Sequence, residues 1–154
     1  MNKEYFYNLY AKILQELRLQ FEMFLIEEVR YRVDENEDGK LFGIDAIYRL
    51  KTDKKYINLW FGISTWKTKP FEIKVSIGDN TSDYGFPLTD YLAIRPIEFD
   101  RSLLFRYLEN YEDALTVSKQ LFEELKKLIA TEEMQRLLYT DYKIDVPRDY
   151  SPYK

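Results

Sequence analysis

The first part of the chain carries apolar residues at a helical spacing. Between Lys3 and Glu28 there is neither glycine nor proline, and large apolar side chains recur every three or four positions. Polar residues occupy the other faces. The apolar stripe consists of Phe6, Tyr10, Ile13, Leu14, Leu17, Phe21, Phe24 and Leu25. We therefore predict one long amphipathic helix over residues 3–28.

A second apolar stripe is present in the distal half of this predicted helix. It consists of Leu19, Met23 and Ile26. A helix that is apolar on two sides is either sandwiched inside the fold or meets a partner on one side. If the partner is a second copy of the chain, these three residues are the expected homodimer contact.

After Glu28 the hydrophobic period changes from the helical one to two. Alternating apolar and polar residues predict strands over 29–34, 42–50, 57–64 and 71–77. The Asp38-Gly39 pair and the polar residues 52–55 are typical of tight turns. Short connections of this kind predict an antiparallel meander with one core face. A fifth strand over 91–97 is expected at an edge of the sheet, because Pro96 cannot donate to a ladder.

The remainder of the chain returns to helical spacing. Asp100 or Ser102 can cap a helix that runs through Leu108, and a second amphipathic helix is predicted from Leu115 to Ile129. Residues 131–133 can either restart or extend this helix through Leu138. We interpret residues 1–141 as a single α+β domain and residues 142–154 as an extended C-terminal tail. The predicted order is a long N-terminal helix, a meander of four to five antiparallel strands, and C-terminal helices.

Composition limits the chemistry that this fold can perform. The 154 residues contain no cysteine and no histidine, which excludes disulfides, thiolate zinc sites and a Ser-His-Asp triad. The net charge of −4 offers no basic stripe that could follow a phosphate backbone, so we expect no nucleic-acid partner. The chain shows neither a signal peptide nor an apolar run long enough to span a membrane, and we expect a cytoplasmic protein of bacterial or phage origin.

The acidic segment that begins at Asp34 resembles the start of an EF-hand calcium loop. Asp34, Asn36 and Asp38 stand at the first, third and fifth places, and Gly39 at the sixth. The twelfth place holds Asp45 instead of a bidentate glutamate, and a strand pattern follows the loop. We expect an acidic hairpin turn, with these three residues as weak calcium candidates.

Asp45, Glu72 and Lys74 together resemble the Asp…Glu-x-Lys arrangement of the PD-(D/E)xK nucleases. That resemblance implies a Mg²⁺ ion held by the two carboxylates and a lysine that positions the attacking water. Glu72 and Lys74 share a strand face, and Asp45 lies on the less apolar face of its own strand. However, a whole strand intervenes between the two motifs, whereas in that family the Glu-x-Lys usually follows the Asp on the next strand.

Large apolar side chains also fall on the polar face of the meander. Ile47 and Trp60 lie there, with Trp66 just beyond, and the 14 tyrosines add to the aromatic surplus. Such a surface either binds a partner or is covered by a helix. We hypothesise a non-enzymatic protein-binding domain without a cofactor, comparable at fold level to immunity proteins, secretion chaperones and inhibitors. The alternative is a Mg²⁺-dependent nuclease-like protein, possibly a degenerate one.

Overall fold

The computed structural model describes residues 3–35, 37–64, 71–79, 85–93, 99, 105–108 and 113–142. Its elements follow one another as a helix, four long strands, a short strand and helix, a further strand, and two helices. They are α1 (Lys3–Gln20), β1 (Leu25–Glu35), β2 (Leu41–Lys51), β3 (Lys55–Ser64), β4 (Phe71–Asp79), β5 (Gly85–Pro87), α2 (Leu88–Ala93), β6 (Phe105–Leu108), α3 (Ala114–Ile129) and α4 (Glu132–Tyr139). The architecture is α+β, as predicted. None of the described helices is long and apolar enough to cross a membrane.

The sheet is an antiparallel meander with strand order β1-β2-β3-β4-β5, and β6 pairs with β4 beside β5. The predicted alternation sets which side chains face the core, because cross-strand partners share a face. Tyr48 pairs with Leu59, and Leu59 pairs with Val75, in one row of the core face. The opposite face, which we call the outer face, carries the polar members of each strand.

Helices α1, α3 and α4 contribute buried residues to the same core as the sheet. Phe6, Tyr10, Ile13 and Leu17 of α1 are buried at the predicted helical spacing. Phe122 of α3 joins the layers, since its ring lies 6.0 Å from that of Phe21 and 6.2 Å from that of Phe61. Buried apolar residues from the helices and strands form one cluster.

The N-terminal helix is shorter than the predicted one. It ends at Gln20, and a turn over 21–23 leads into β1 at Leu25. Ile26 therefore lies on a strand opposite Leu50 and is partly buried against the core, while Leu19 and Met23 are each 58% exposed. The three residues do not form one helical stripe. No glycine or proline interrupts the helical spacing in the sequence. Residues 25–28 nevertheless form part of a strand, because β1 pairs with β2 along its whole length.

Two further elements differ from the sequence-based expectation. The predicted edge strand that starts at Tyr91 is instead part of α2, and residues 94–98 lie outside the described part of the chain. Residues 105–108, predicted as the end of a helix, instead form strand β6, whose partner is β4, and residues 100–104 lie outside the described part of the chain. Both segments are short, so local spacing is a weak guide to their conformation, and β6 pairs with residues of β4 that lie far from it in sequence.

Candidate functional site

The outer face of the sheet holds most of the residues that the sequence singled out. In one cross-strand row, Arg32 lies beside Asp45, followed by Gly62 and Glu72. In the next row, Arg30 lies beside Ile47, followed by Trp60 and Lys74. The register brings these side chains to one surface because each pair of neighbours is directly opposed.

The carboxylate of Asp45 forms salt bridges with two arginines of β1, the edge strand. Its Oδ1 accepts from Arg30 Nε at 2.9 Å, and its Oδ2 accepts from Arg32 Nη2 at 2.9 Å. The side chain of Asp45 is 8% exposed, so the two guanidinium groups supply the charge compensation that a buried carboxylate requires. Sequence alternation places the two arginines on one face of their own strand, and only the register brings them onto Asp45.

Glu72 and Lys74 do share a strand face, as predicted, and the Lys74 ammonium lies 3.2 Å from Glu72 Oε1. Asp45 stands in the same row but two strands away, which corresponds to roughly 10 Å between backbones. The indole of Trp60 lies over Gly62, the residue between them, since a Cβ placed on Gly62 would clash with Trp60 Cη2. The indole therefore fills the space where an ion shared by the two carboxylates would have to sit.

The acidic turn does not have the surroundings of an EF-hand. Strands β1 and β2 flank it, and Asp34 lies at the end of β1, where its carboxylate is 3.5 Å from Arg32 Nε. Gly39 has a φ of 79°, which suits the hairpin turn. Asn36 lies outside the described residues. Within the described part of the chain, no group of three or more acidic residues is arranged to hold a metal ion.

A groove runs along the outer face over the middle of β3. Its volume is about 380 Å³, and the outer-face residues that line it are Ile47, Asn58, Trp60, Lys74, Ser76 and Pro87. Ile47 and Trp60 are half-buried rather than buried. Because the buried residues of the described helices belong to the core on the other face, these helices do not cover the groove. Trp66, the third predicted member of this surface, lies outside the described residues.

Two cations frame this groove with aromatic contacts. The Lys74 ammonium lies 5.0 Å from the centre of the Trp60 ring, and the Arg49 guanidinium lies 4.0 Å above that of Tyr56. Arg49 also donates through Nε to Asn58 Oδ1 at 2.9 Å. Among the described residues Arg49 forms no salt bridge, and Glu27 lies opposite it in the ladder. Sequence reasoning missed Arg49, although the alternation in β2 places it on the face of Ile47.

No family model, no curated protein and no solved structure matches this chain.

Proposed function

We propose that this protein is a non-enzymatic binding domain that docks another protein on the outer face of its sheet. The observation that carries the proposal is the groove, in which the half-buried Ile47 and Trp60 remain uncovered by the described helices. Aromatic and apolar side chains in a concave surface, framed by polar groups, are typical of the centre of a protein interface. As part of this proposal we place the protein in the cytoplasm.

The charge distribution favours an acidic partner surface. Among the described outer-face positions of β1 to β4 there are five cations and four anions, a net charge of +1, whereas the whole chain carries −4. The remainder of the molecule therefore carries −5 (−4 minus +1). The cations are Arg30, Arg32, Arg49, Lys51 and Lys74, and the anions are Glu27, Asp34, Asp45 and Glu72. We infer a partner that inserts an apolar side chain between Ile47 and Trp60 and presents a carboxylate to Arg49.

The nuclease-like alternative gains no support from the described contacts. Both oxygens of Asp45 accept from arginines, and the Trp60 indole separates that carboxylate from Glu72. A nuclease site of this type needs two carboxylates that share an ion and can also reach a phosphate. We therefore do not propose catalysis.

The test uses a photoreactive residue in the groove. Benzoylphenylalanine replaces Asn58 in one chain and Glu123, exposed on α3, in a matched control. In extract of the source organism, we expect the groove probe to crosslink one protein that the α3 probe does not. The crosslinked peptide, mapped by mass spectrometry, should contain apolar and acidic residues.

Two substitutions test whether the crosslinked protein binds in the groove. Trp60→Ala should abolish the crosslink while the circular dichroism spectrum is retained. Gly62→Ala should weaken it, because the new methyl group would displace the indole, whereas Gly85→Ala adds only an ordinary contact at 3.4 Å and should have no effect. Equal capture by Trp60→Ala and the parent would contradict the proposal.

A fluorescence titration distinguishes a protein partner from a nucleic acid. The chain has two tryptophans, so a Trp66→Phe background leaves Trp60 as the reporter. We expect no change in its emission on addition of oligo-dT at low salt. A quench that disappears as salt is raised would indicate single-strand binding by stacking and would overturn the protein-docking proposal.

A further inference from the structure

Strand β1 forms one end of the sheet and presents a long edge. It has 11 residues, and among the described strands it pairs with β2 alone. Most of its side chains are exposed, including Leu25 at 69% and Val29 at 39%. An edge of this length can accept a further strand, because alternate N–H and C=O groups point away from β2.

A bulge in the middle of β1 restricts the strands that can pair with this edge. Glu28 is opposite Tyr48 and Arg30 is opposite Ile47, so Val29 is an extra residue. Before the bulge, the odd-numbered residues face outward from the core, and after it the even-numbered residues do. A regular partner strand that matches the side-chain faces in one half of β1 would mismatch them in the other half.

A second copy of β1, running antiparallel, meets this restriction in one register. When the twofold axis passes between Val29 and Arg30, the two bulges lie opposite each other. The two side chains of every cross-strand pair then point to the same face of the sheet. Glu27 is then opposite Arg32 of the second copy, and Ile26 is opposite Val33. If one copy is shifted by two residues, one bulge residue of each strand lies opposite a residue whose side chain points to the other face of the sheet.

The charges along the edge are complementary in this register. Glu27 and Arg32 are both accessible, with side chains 46% and 55% exposed. The twofold axis generates two Glu27–Arg32 pairs between the copies, where cross-strand opposite charges stabilise pairing. Ile26 and Val33, which are partly buried against each chain's own core, would extend the apolar row across the junction.

An unpaired hydroxyl group lies on the same strand. Tyr31 Oη is the one buried side-chain polar atom in the described part of the chain that has no hydrogen-bond partner. A buried hydroxyl without a partner costs free energy. In the register described above, the residue opposite Tyr31 is Glu28 of the second copy, whose carboxylate can accept a hydrogen bond from this hydroxyl.

We propose that two copies of this chain associate through antiparallel pairing of β1 with β1, about a twofold axis between Val29 and Arg30. The pairing joins the two six-stranded sheets into one continuous sheet. Because such an axis is perpendicular to the sheet, both outer faces lie on the same side, and the two grooves face the same way.

Charge reversal on matched chains tests the pairing. The full chain should change from 18.7 kDa to twice that mass as its concentration rises in sedimentation experiments. Arg32→Glu alone and Glu27→Arg alone should each weaken association about tenfold or more, since two symmetry-related pairs become repulsive. Because Arg32→Glu also removes a guanidinium group from Asp45, circular dichroism must show that this variant keeps the fold of the parent. Mixing the two variants should restore the dimer, because each heterologous contact again opposes an acid and a base. Lys127→Glu, an exposed charge reversal on α3, is the control and should leave association unchanged.

Cysteine crosslinking tests the register independently, since the native chain has no cysteine. A mixture of Glu27→Cys and Arg32→Cys chains should form a disulfide-linked dimer under mild oxidation. Either variant alone should crosslink far more slowly, because five residues along an antiparallel pair separate the like positions by about 17 Å. Tyr31→Phe should weaken association without destabilising the dilute monomer.

A monomeric mass at about 1 mM, where even weak association becomes visible, would overturn the proposal. Crosslinking of Glu27→Cys with itself as fast as with Arg32→Cys would overturn it as well, because the two strands would then pair in another register.

Discussion

At the residue scale, the hydroxyl of Tyr10 connects the first helix to two strands. Its Oη donates to the carbonyl oxygens of Ile44 at 2.9 Å and of Phe61 at 3.2 Å, in a site where Tyr10 is 1% exposed. One proton is shared between two acceptors on neighbouring strands. Because hydrogen bonds are directional, these two contacts fix the distance between α1 and the strands β2 and β3 more precisely than apolar packing alone would.

We predict that Tyr10→Phe lowers the free energy of unfolding by about 1–2 kcal/mol, because the carbonyl groups lose a buried donor and water cannot replace it. Tyr5→Phe, at a position that is 43% exposed on the same helix, is the control and should change stability by less than about 0.5 kcal/mol. Urea denaturation measures both. Equal stabilities for the two variants would show that the Tyr10 hydroxyl contributes nothing.

Buried tyrosines also make the fold sensitive to alkali. Desolvation raises the pKa of Tyr31 to about 12, with further contributions from Tyr7 and Glu28. Burial likewise raises the pKa of Tyr10 and of Tyr48. In the unfolded chain these phenols ionise near 10. Between about pH 10 and pH 12 the folded state therefore binds more protons than the unfolded state.

We predict that these phenols do not change the stability below about pH 9 and that stability falls as the pH rises through this window. Urea midpoints measured across the range would show the loss, and Tyr31→Phe should reduce its slope because one raised pKa is removed. A midpoint that does not change up to pH 11 would contradict the assignment of these phenols as protonated in the fold.

At the element scale, α3 packs against both the end of α1 and the sheet, and it thereby holds α1 in place. Phe122 has no exposed surface, and its ring meets Phe21 after α1 and Phe61 on β3 edge to face. Phe21 itself lies in the turn that ends α1. The end of the helix and the start of β1 are thus tied to the packing of an element about 100 residues further along the chain.

We predict that Phe122→Ala destabilises the protein by about 3–5 kcal/mol, from lost burial and the remaining cavity. Glu123→Ala, the exposed neighbour on α3, should have little effect. Thermal or urea unfolding monitored by circular dichroism gives the comparison. A decrease in the free energy of unfolding of less than about 1 kcal/mol would mean that neighbouring side chains fill the cavity without cost. In that case α3 would not hold α1 in place.

At the scale of the whole molecule, the helices and strands depend on one apolar cluster. The cluster contains residues of α1, β2, β3, β4, α2, α3 and α4. Thr52 of the β2–β3 turn donates to the carbonyl of Leu138 at 2.6 Å, and the buried Lys55 ammonium donates to that of Thr140 at 2.6 Å. The end of α4 is therefore fixed to the sheet by polar contacts as well as by packing.

We predict that residues 1–141 unfold as one cooperative unit. Far-ultraviolet circular dichroism, which reports mainly on the helices, and tryptophan fluorescence, which includes Trp60 on β3, should give coincident urea transitions. Two separate midpoints would indicate that the helices and the sheet are independent units.

Much of this arrangement was predictable because its signals are local. The period of two over β2, β3 and β4 determines which side chains face the core, and short turns between them imply an antiparallel meander. The same alternation placed Ile47 and Trp60 on the outer face, which is where they lie. The second apolar stripe is not one helical stripe, since Leu19 lies on α1, Met23 lies in the turn after it and Ile26 lies on a strand. A partner contact through these residues stays a prediction.

Pairing partners distant in sequence decided the rest. Residues 25–28 have a helical spacing, yet they lie in β1 because β2 offers them a complete ladder, and residues 105–108 form a strand because β4 has an open edge. The register that brings Arg30 and Arg32 onto Asp45, and the indole of Trp60 over Gly62, also arises only when the strands meet. Periodicity in the chain specifies the faces of each element, whereas the free energy of long-range pairing and packing specifies where an element ends and which charges are neutralised.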